Sequence, residues 1–401
     1  MPTQINGSTE RKGMEMKISG YSRPDGSIGF RNHVAVLTSV GCANDLALKL
    51  GRMYSNVLLL THRQGCSQLG ADNEQTFRTL AGLGKNPNIA GVLVVGLGCE
   101  TIPAEHLANE ISKTKKMVEY LNFLDDEGLM AAIPKGARIL EGMLHEASQM
   151  TRIPCGMEQL TLGLKCGLSD TTSGITSNPA TGTATDMVIE SGGRVIFSET
   201  PELIGAERIV GKRAANRKVE EKLYRMVKEF KERAKASDMD LQEANVAPGN
   251  IAGGITTIEE KSLGSIMKGG GKTLQGVLDY GEIPKGNGLF FMDGPGRTPE
   301  ALTGLNAAGA QIIIFPSGGG SPGGSLVSPV IKVTGNPQTA QRLRDHIDVD
   351  VSSLIRGEEL LGKAGEKIFQ RLVKVANGEL TKSETLGYGS IAVWNIGLLC
   401  G

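Results

Sequence analysis

Four cysteines follow apolar runs of the sequence at closely similar positions. Cys42, Cys66, Cys99 and Cys166 each come one to five residues after a run that predicts a buried β-strand. Because the carboxyl ends of parallel strands share one edge of a sheet, we expect the four thiols to converge on one pocket. A thiol cluster of this kind predicts a metal site.

The ligand types of this predicted site limit the metals that suit it. Thiolates, together with the imidazole of nearby His62, favour Fe(II), another divalent metal such as Zn(II), or an iron–sulfur cluster. The sequence contains no Cys-x-x-Cys pair, so the local spacing typical of many metal sites is missing. Free cysteine is also often a small core residue, which is the alternative interpretation of each thiol. We interpret Cys155 and Cys400 as structural.

The densest set of chemically capable side chains lies in residues 165–179, KCGLSDTTSGITSNP. A short apolar run, residues 160–164, precedes this stretch, and a helix-like segment, residues 180–190, follows it. A strand that ends in a polar, glycine-rich turn before a helix places its side chains and N–H groups where open α/β sheets bind ligands. The alternative is an ordinary Ser/Thr/Gly loop with a helix cap.

Length and composition limit the class of protein. The 401 residues predict two or three domains, and the 55 glycines are about twice the usual share of roughly 7%. The 43 basic residues balance the 43 acidic ones, so no charge excess predicts binding to nucleic acid or to an anionic membrane. The longest apolar run, residues 89–97, is about half of a membrane span. With no apolar signal region and six cysteines, we expect a reducing, cytoplasmic location.

Strand-like and helix-like segments alternate along most of the chain. This alternation predicts an α/β protein built of two Rossmann-like parallel-sheet domains with glycine-rich loops at the strand ends. We expect a flexible tail over residues 1–16, a first domain over residues 17–153 and a second over residues 154–401, with a break at Pro154. None of the glycine-rich loops has the spacing of a P-loop or of a dinucleotide fingerprint, which disfavours a nicotinamide oxidoreductase.

The motifs of this chain resemble those of the altronate/galactarate dehydratase family, which also contains the beta subunit of sulfolactate sulfo-lyase. The similar segments run in the order of the family over nearly the whole chain from about Gly20. They are residues 20–32, 61–66, 91–100, 166–179, 198–207, 248–254, 260–268, 291–295 and 382–386. One position departs from the family pattern, because Gly319 stands where that pattern has an arginine in T-G-R-G-S. An arginine can hold a carboxylate or sulfonate through two hydrogen bonds, so the distal anionic group of the substrate is not predicted.

The resemblance implies a lyase that acts on a small hydroxy acid. Dehydration and sulfite release are both β-eliminations, in which a weakly acidic proton next to a carboxylate is removed and the enediolate that develops needs a cation or dense donors. We expect dehydration of a sugar acid with Fe(II) as cofactor, and sulfolactate sulfo-lyase as the alternative in the same family. A non-catalytic subunit that only binds a sugar acid is the alternative from another class, and the four cysteines with His62 disfavour it.

The resemblance also implies partners. The sugar-acid enzymes of the family commonly carry a small N-terminal domain ahead of the region that this chain matches. We therefore expect a separate small subunit, and also an oligomer, with neither nucleic acid nor a membrane as partner.

Roles for individual side chains follow from this chemistry. His62 is the first candidate for proton transfer, followed by Lys261, Lys165 and Glu199, although a lysine acts as a base only if burial lowers its pKa. The alternative for His62 is a hydrogen-bonded residue at a strand end. Candidates for binding the hydroxyls and carboxylate of the substrate are Arg31, Asn32, Asp170, Thr176, Asn178 and Asn250.

Overall fold

The computed structural model describes residues 17–125, 128–238 and 240–397. The predicted tail, residues 1–16, and Cys400 lie outside this part of the chain. Within it, no helix is both long and apolar enough to cross a membrane.

Strands and helices alternate as the sequence predicts. The strands are β1 (Ile18–Ser22), β2 (Ile28–Gly29), β3 (His33–Thr38), β4 (Val57–Leu60), β5 (Ile89–Gly96), β6 (Met117–Asn122), β7 (Arg152–Cys155), β8 (Thr161–Leu164), β9 (Arg194–Ser198), β10 (Leu274–Leu278), β11 (Gly288–Met292), β12 (Ile312–Pro316), β13 (Val330–Thr334) and β14 (Val349–Asp350). The helices are α1 (Asn44–Met53), α2 (Gly70–Lys85), α3 (Ala104–Ser112), α4 (Leu129–Gln149), α5 (Thr171–Ile175), α6 (Ser177–Glu190), α7 (Glu207–Gly211), α8 (Arg217–Ala236), α9 (Leu241–Asn245), α10 (Pro248–Ala252), α11 (Ile258–Ser265), α12 (Thr298–Ala307), α13 (Pro337–Arg342), α14 (Leu361–Ala376) and α15 (Lys382–Thr385).

Two parallel sheets form the core of the protein. The first sheet has four strands in the order β4-β3-β5-β6, and the second has seven in the order β10-β11-β9-β8-β12-β13-β14. Every strand pair in these two sheets is parallel. The prediction of an α/β protein with parallel sheets is therefore confirmed.

Burial explains why these segments form central strands. All residues of β5, β8, β11, β12 and β13 are buried, as expected for strands that helices cover on both faces. Helix α14 shows the complementary pattern, because Ala364, Ile368, Leu372 and Val375 recur at helical spacing and are all buried. Packing of such apolar helix faces against the buried strands holds the strands in place, and with them the loops at the strand ends.

A pair of asparagines joins the two sheets at their amino edges. The side chain of Asn88, just before β5, donates to the carbonyls of Gln311 (2.8 Å) and Val327 (3.0 Å) near the starts of β12 and β13. Asn86 donates to the carbonyl of Ala310 at 2.9 Å. Residues after β4 and residues after β11 line one cleft, so the carboxyl edges of both sheets lie on the same side of the molecule.

The segment predicted as a break between domains is itself a strand. β7 pairs with β1 in a small antiparallel sheet, with Pro154 opposite Ser19. Proline is tolerated here because β7 lies at the edge of that sheet.

Candidate functional site

The loop that follows β8 lies where the strand order of the second sheet reverses. The chain runs from β8 to β9 on one side, and β12 later pairs with β8 on the other side. The carbonyl of Leu168 accepts hydrogen bonds from the N–H groups of Gly318 and Gly319, both at 3.0 Å, so the loops after β8 and β12 are joined. Open α/β sheets bind ligands in the crevice at such a reversal, which marks this loop as a candidate site.

A fully buried carboxylate, Glu199 at the end of β9, holds this loop in place. One oxygen of Glu199 forms an ion pair with Lys165, and the other accepts a hydrogen bond from the N–H of Cys166 at 2.8 Å. The ammonium of Lys268 lies 3.2 Å from the same carboxylate. Two cations from distant parts of the chain thus converge on one carboxylate.

A second buried carboxylate, Glu202, extends the network. Its oxygens lie 3.5 Å from Lys268 Nζ and 3.8 Å from Lys261 Nζ, and one of them accepts a hydrogen bond from the hydroxyl of Ser265. We call the five charged residues the lysine–glutamate cluster: Lys165, Glu199, Glu202, Lys261 and Lys268.

Burial and mutual charge set the protonation of this cluster. Burial, reinforced by the charge of Glu202, raises the pKa of Glu199. Burial also opposes ionisation of Glu202, but the charges of Lys268 and Lys261 prevail and lower its pKa to about 2. For Lys268 burial is again outweighed, because the two carboxylates raise the pKa of its ammonium. Glu202 and Lys268 therefore remain an ion pair at neutral pH.

The backbone of Glu199 adopts a strained conformation. Its φ is +87°, in the left-handed region that residues other than glycine seldom occupy. Strain of this kind costs on the order of 1–3 kcal/mol and is concentrated at functional sites. The surrounding ion pairs hold the carboxylate in this position.

A cleft of about 460 Å³ opens beside the cluster between α5 and α11, and we call it the helical cleft. Among the residues that line it are Lys261, Ser169, Ser173 and Asn178. The ammonium of Lys261 donates to the backbone carbonyl of Asn245 at 2.6 Å and is the only cluster member on the cleft wall. The cleft thus combines a cation and the carboxylates of Asp170 and Glu260 with hydroxyl and amide groups.

The predicted substrate ligands near this loop are mostly engaged in holding it together. Asp170 caps α5 by accepting from Ser173 N (2.8 Å), and its other oxygen accepts from Asn336 (2.8 Å). The hydroxyl of Thr176 donates to the carbonyl one turn earlier in the helix, and Asn250 donates to the carbonyl of Ser169.

Asn178 has a different position, on the wall of the helical cleft. Its amide nitrogen donates to the carbonyl of Gly264 at 2.9 Å, and its oxygen faces the thiol of Cys166 at 3.7 Å. Asp170 and Asn178 are the predicted substrate ligands that line the cleft.

Arg31 and Asn32 lie far from this site, because they precede β3 and so fall at the amino edge of the first sheet. Arg31 forms an ion pair with Glu384 at 2.6 Å and donates to backbone carbonyls, and Asn32 bonds Arg23 and the carbonyl of Ala147. The structure does not bring these two predicted ligands to either carboxyl edge; their contacts stabilise the fold.

His62 is buried at the carboxyl edge of the first sheet, with both ring nitrogens engaged. Nε2 donates to the carbonyl of Thr38 at 2.7 Å, and Nδ1 accepts from the N–H of Gln64 at 3.0 Å. Burial lowers the pKa of His62 to about 4, so the ring is neutral at neutral pH. This geometry matches the structural alternative for His62, and its role in proton transfer stays a prediction.

The four strand-end thiols are divided between the two sheets. Cys42, Cys66 and Cys99 are exposed at the carboxyl edge of the first sheet, whereas Cys166 is fully buried in the second. The Cys166 thiol contacts Ser169 Oγ at 3.5 Å, and burial, together with the charge of Glu202, raises its pKa. Each cysteine follows a strand as predicted, but the thiols do not share one environment.

A second cleft, of about 610 Å³, separates the carboxyl edges of the two sheets. We call it the inter-sheet cleft. It is lined by residues of three segments, 61–64, 295–300 and 391–395, together with Asn44.

Comparison with known proteins now identifies the family. Residues 157–399 match the family description "D-galactarate/Altronate dehydratase, C-terminal", and residues 20–148 match "D-galactarate dehydratase/Altronate hydrolase, second domain". The chain belongs to the D-galactarate/altronate dehydratase family. The predicted family and the prediction of a lyase are confirmed.

Two curated members of the family illustrate how far the likeness extends. The chain is 40% identical to the (2R)-sulfolactate sulfo-lyase subunit beta of Chromohalobacter salexigens, over 94% of this chain and 97% of that protein. It is 35% identical to the altronate dehydratase of Bacillus subtilis, over 95% of this chain and 78% of that protein. The family thus contains proteins named as dehydratases and a protein named as a subunit of a sulfo-lyase.

The metal site predicted at the four thiols stays a prediction, and the structure places these thiols in different environments. Among the described residues, no group of three or more His, Cys, Asp or Glu side chains lies close enough to hold a metal ion. Three exposed thiols and one buried, hydrogen-bonded thiol do not match a shared four-thiol site. Iron dependence stays a prediction.

Sequence reasoning missed three residues of the site, Glu202, Ser265 and Lys268. The family motifs SETPE and EKSLGSIMK contain all three, but nothing in either motif shows that they pack together. Their spacing offers a partial signal. Glu199 and Glu202 lie one turn apart, as do Ser265 and Lys268, and residues three apart in a helical turn share a face.

Proposed function

We propose that this protein is a hydroxy-acid lyase that removes a leaving group from the carbon next to the one bearing the abstracted proton, with dehydration of a sugar acid as its reaction. The observation that carries the proposal is the helical cleft. It combines Lys261 with hydroxyl and amide side chains and adjoins a cluster of three lysines and two glutamates. Asp170 and Glu260 also line the cleft, so Lys261 is the group on its wall that suits the carboxylate of a substrate.

The proposed reaction moves one proton and one leaving group. Loss of the proton next to the carboxylate leaves its electron pair in an enediolate, which then expels hydroxide from the neighbouring carbon. The enol that results rearranges to a 2-keto acid. A cation fixed beside the carboxylate stabilises the enediolate more than the substrate, and this difference accelerates the reaction.

We assign contact with the substrate carboxylate to Lys261. The partners of its ammonium, Asn245 and Glu202, hold it at the cleft wall, so little ordering is needed when a substrate binds. Ser169 and Asn178 are in position to bond substrate hydroxyls. We retain Glu199 as a candidate catalytic residue beside this cleft. His62 lines the inter-sheet cleft instead, so its predicted role in proton transfer is not part of the reaction proposed for the helical cleft.

Sulfite elimination is the second candidate. It is favoured by the 40% identity to a sulfolactate sulfo-lyase subunit beta, over 97% of the length of that relative. Since that relative is named as a subunit, we also propose that a separate small protein completes the enzyme. A cytoplasmic location is part of the same proposal, supported by free cysteines in the described residues.

The test is to offer the purified protein altronate, galactarate and (2R)-sulfolactate in turn. Each reaction is followed by 2-keto acid formation, and the last also by sulfite release, with and without the small protein encoded beside it. Dehydration predicts a keto acid without sulfite, whereas sulfo-lyase activity predicts equal amounts of pyruvate and sulfite. If none of the three acids is consumed in either preparation, the proposal is wrong.

A lysine variant tests the assigned site. Lys261→Ala should lower kcat/KM by roughly 10²-fold or more, the loss typical of one preorganised charge contact. Lys272→Ala is the matched control, because Lys272 is a surface residue paired with Glu190 outside the cleft. Equal activity of the two variants would contradict the role of Lys261.

A further inference from the structure

The inter-sheet cleft contains a buried acceptor that lacks a partner. Glu300 lines this cleft, and its side chain is only 8% exposed. One oxygen pairs with Arg297 at 2.8 Å, but Oε2 is buried without a hydrogen-bond partner among the described residues. A buried acceptor left unpaired is unfavourable, so a donor from a ligand would be favoured there.

Cationic and amide side chains line the same cleft. Arg63 and Gln64 come from the loop after β4, and within the described part of the chain no hydrogen bond or ion pair involves either side chain. Arg63 is exposed, so its guanidinium is free to form two hydrogen bonds with a carboxylate. A ligand in this cleft therefore meets an anion-binding group and a buried hydrogen-bond acceptor.

The single tryptophan of the chain completes the lining. Trp394 is half-buried, borders the inter-sheet cleft and packs edge-on against Tyr280 with ring centroids 5.4 Å apart. The face of an indole ring suits the C–H groups of a polyhydroxylated chain.

We propose that the inter-sheet cleft is a second binding site for hydroxy acids, separate from the helical cleft. The carboxylate of the ligand pairs with Arg63, and a ligand hydroxyl donates to Oε2 of Glu300. Two features of the ligand are therefore recognised, a negative charge and a hydroxyl donor. The inference rests on the proposed function only for the class of ligand.

A backbone contact relates the two clefts. Lys165, in the lysine–glutamate cluster, donates to the carbonyl of Gly296 at 3.0 Å. The neighbours of this glycine, Pro295 and Arg297, line the inter-sheet cleft. The second site thus adjoins the cluster through one loop, while its own lining is distinct from that of the helical cleft.

Tryptophan fluorescence measures binding at this site without any turnover. The probes are L-tartrate, which has hydroxyls, succinate, which has the same chain without them, and sulfate, which has charge alone. Tartrate should change the emission of Trp394 saturably, with a half-saturating concentration at least about 10-fold lower than that of succinate. A factor of ten is the free energy of roughly one hydrogen bond, about 1.4 kcal/mol.

Variants assign the signal to particular side chains. Arg63→Ala should raise the half-saturating concentration of both organic acids at least 10-fold, and Glu300→Met should abolish the preference for tartrate over succinate. Arg138→Ala is the matched control, because Arg138 is exposed on α4, outside both clefts. Lys261→Ala should keep the fluorescence response while losing turnover, which separates this inference from the proposed function.

Several outcomes would overturn the inference. They are no saturable change with tartrate, equal responses to tartrate and succinate, a sulfate response as strong as that of tartrate, or an unchanged response in Arg63→Ala. The comparison of the three anions uses the wild-type protein, so it decides the matter even if Glu300→Met does not fold.

Discussion

The carboxyl edges of the two sheets start from the same sequence pattern but differ in burial. In the first sheet, the loops after β3, β4 and β5 leave three thiols exposed, and His62 bonds only to backbone groups. In the second sheet, the loop after β8 buries Cys166 beside five interacting charged side chains.

The difference arises from what covers each edge. Helices α10 and α11 pack over the loop after β8, where Asn250 bonds the carbonyl of Ser169 and Asn178 bonds the carbonyl of Gly264. Because these helices exclude water from the loop, charges there interact more strongly. The free-energy cost of leaving one of them unpaired is also higher. A residue's position just after a strand therefore identifies a candidate site. Whether that site is exposed or contains buried, interacting charges depends on the segments that pack over it.

Thiol labelling should show the largest contrast between the two edges. Cys42, Cys66 and Cys99 should react with iodoacetamide in the folded protein, whereas Cys166 reacts only through opening of the core. Protection by an opening free energy above about 5 kcal/mol slows labelling by roughly 10⁴-fold. Mass spectrometry of peptides over a time course measures the ratio, and rapid labelling of Cys166 would mean that the second edge is open.

Removing one charge from the cluster should destabilise the protein strongly. Lys268→Met leaves Glu199 and Glu202 buried without their shared cation, and the expected loss is about 3–5 kcal/mol in the free energy of unfolding. The control is Lys228→Met, in an exposed pair with Glu232, with an expected change within about 1 kcal/mol. Urea unfolding compares them, and equal losses would contradict a tightly buried network.

Acid should weaken the first edge through His62. Its pKa is about 4 in the folded protein, below the ordinary 6.5 of a solvated histidine, so the unfolded chain binds the proton more readily. The stability contributed by the neutral ring is present above pH 6.5 and is lost as the pH falls towards 4, by about 3 kcal/mol in total. His62→Gln should flatten this part of the curve of unfolding free energy against pH. A wild-type curve as flat as that of the variant would refute the lowered pKa.

The smallest effect is expected for metal content. Because Cys166 is separated from the exposed thiols, Cys166→Ser should leave the iron content of anaerobically purified protein unchanged from that of the parent. Elemental analysis of both proteins tests this. Loss of bound iron in Cys166→Ser would contradict the separation of the thiols and restore the predicted four-thiol site.

Sequence alone predicted the strands that carry the sites with good accuracy. The apolar runs over residues 89–97 and 160–164 match β5 and β8 to within one residue at each end, and several family motifs fall in loops at strand ends. Such strands can be recognised from the local sequence, because a strand that is buried on both faces requires an unbroken run of apolar residues. The short strands β1, β7 and β10 were missed, since their residues alternate or contain proline and glycine.

The sequence could not show which polar residues meet. Lys165 and Lys268 are separated by about a hundred residues and converge only because β8 and β9 are neighbours and α11 packs across their ends. Arg31 and Asn32 look like ligands by type, but they precede a strand and so lie at the opposite edge. In both cases, packing between distant parts of the chain, rather than residue type, determines whether a side chain reaches the site.

The asparagine joint between the sheets has a mechanical consequence. Asn88 and Asn86 fix the amino edges, and Gly82 of α2 approaches the carbonyl of Ala307 so closely that a β-carbon would lie 2.3 Å from it. The inter-sheet cleft lies at the far end of the strands, and the eight residues of β5 span about 26 Å at roughly 3.3 Å each. A rotation of about 5° at the joint would then move points at this distance by about 2 Å, so the width of the cleft is sensitive to small changes in the angle between the sheets.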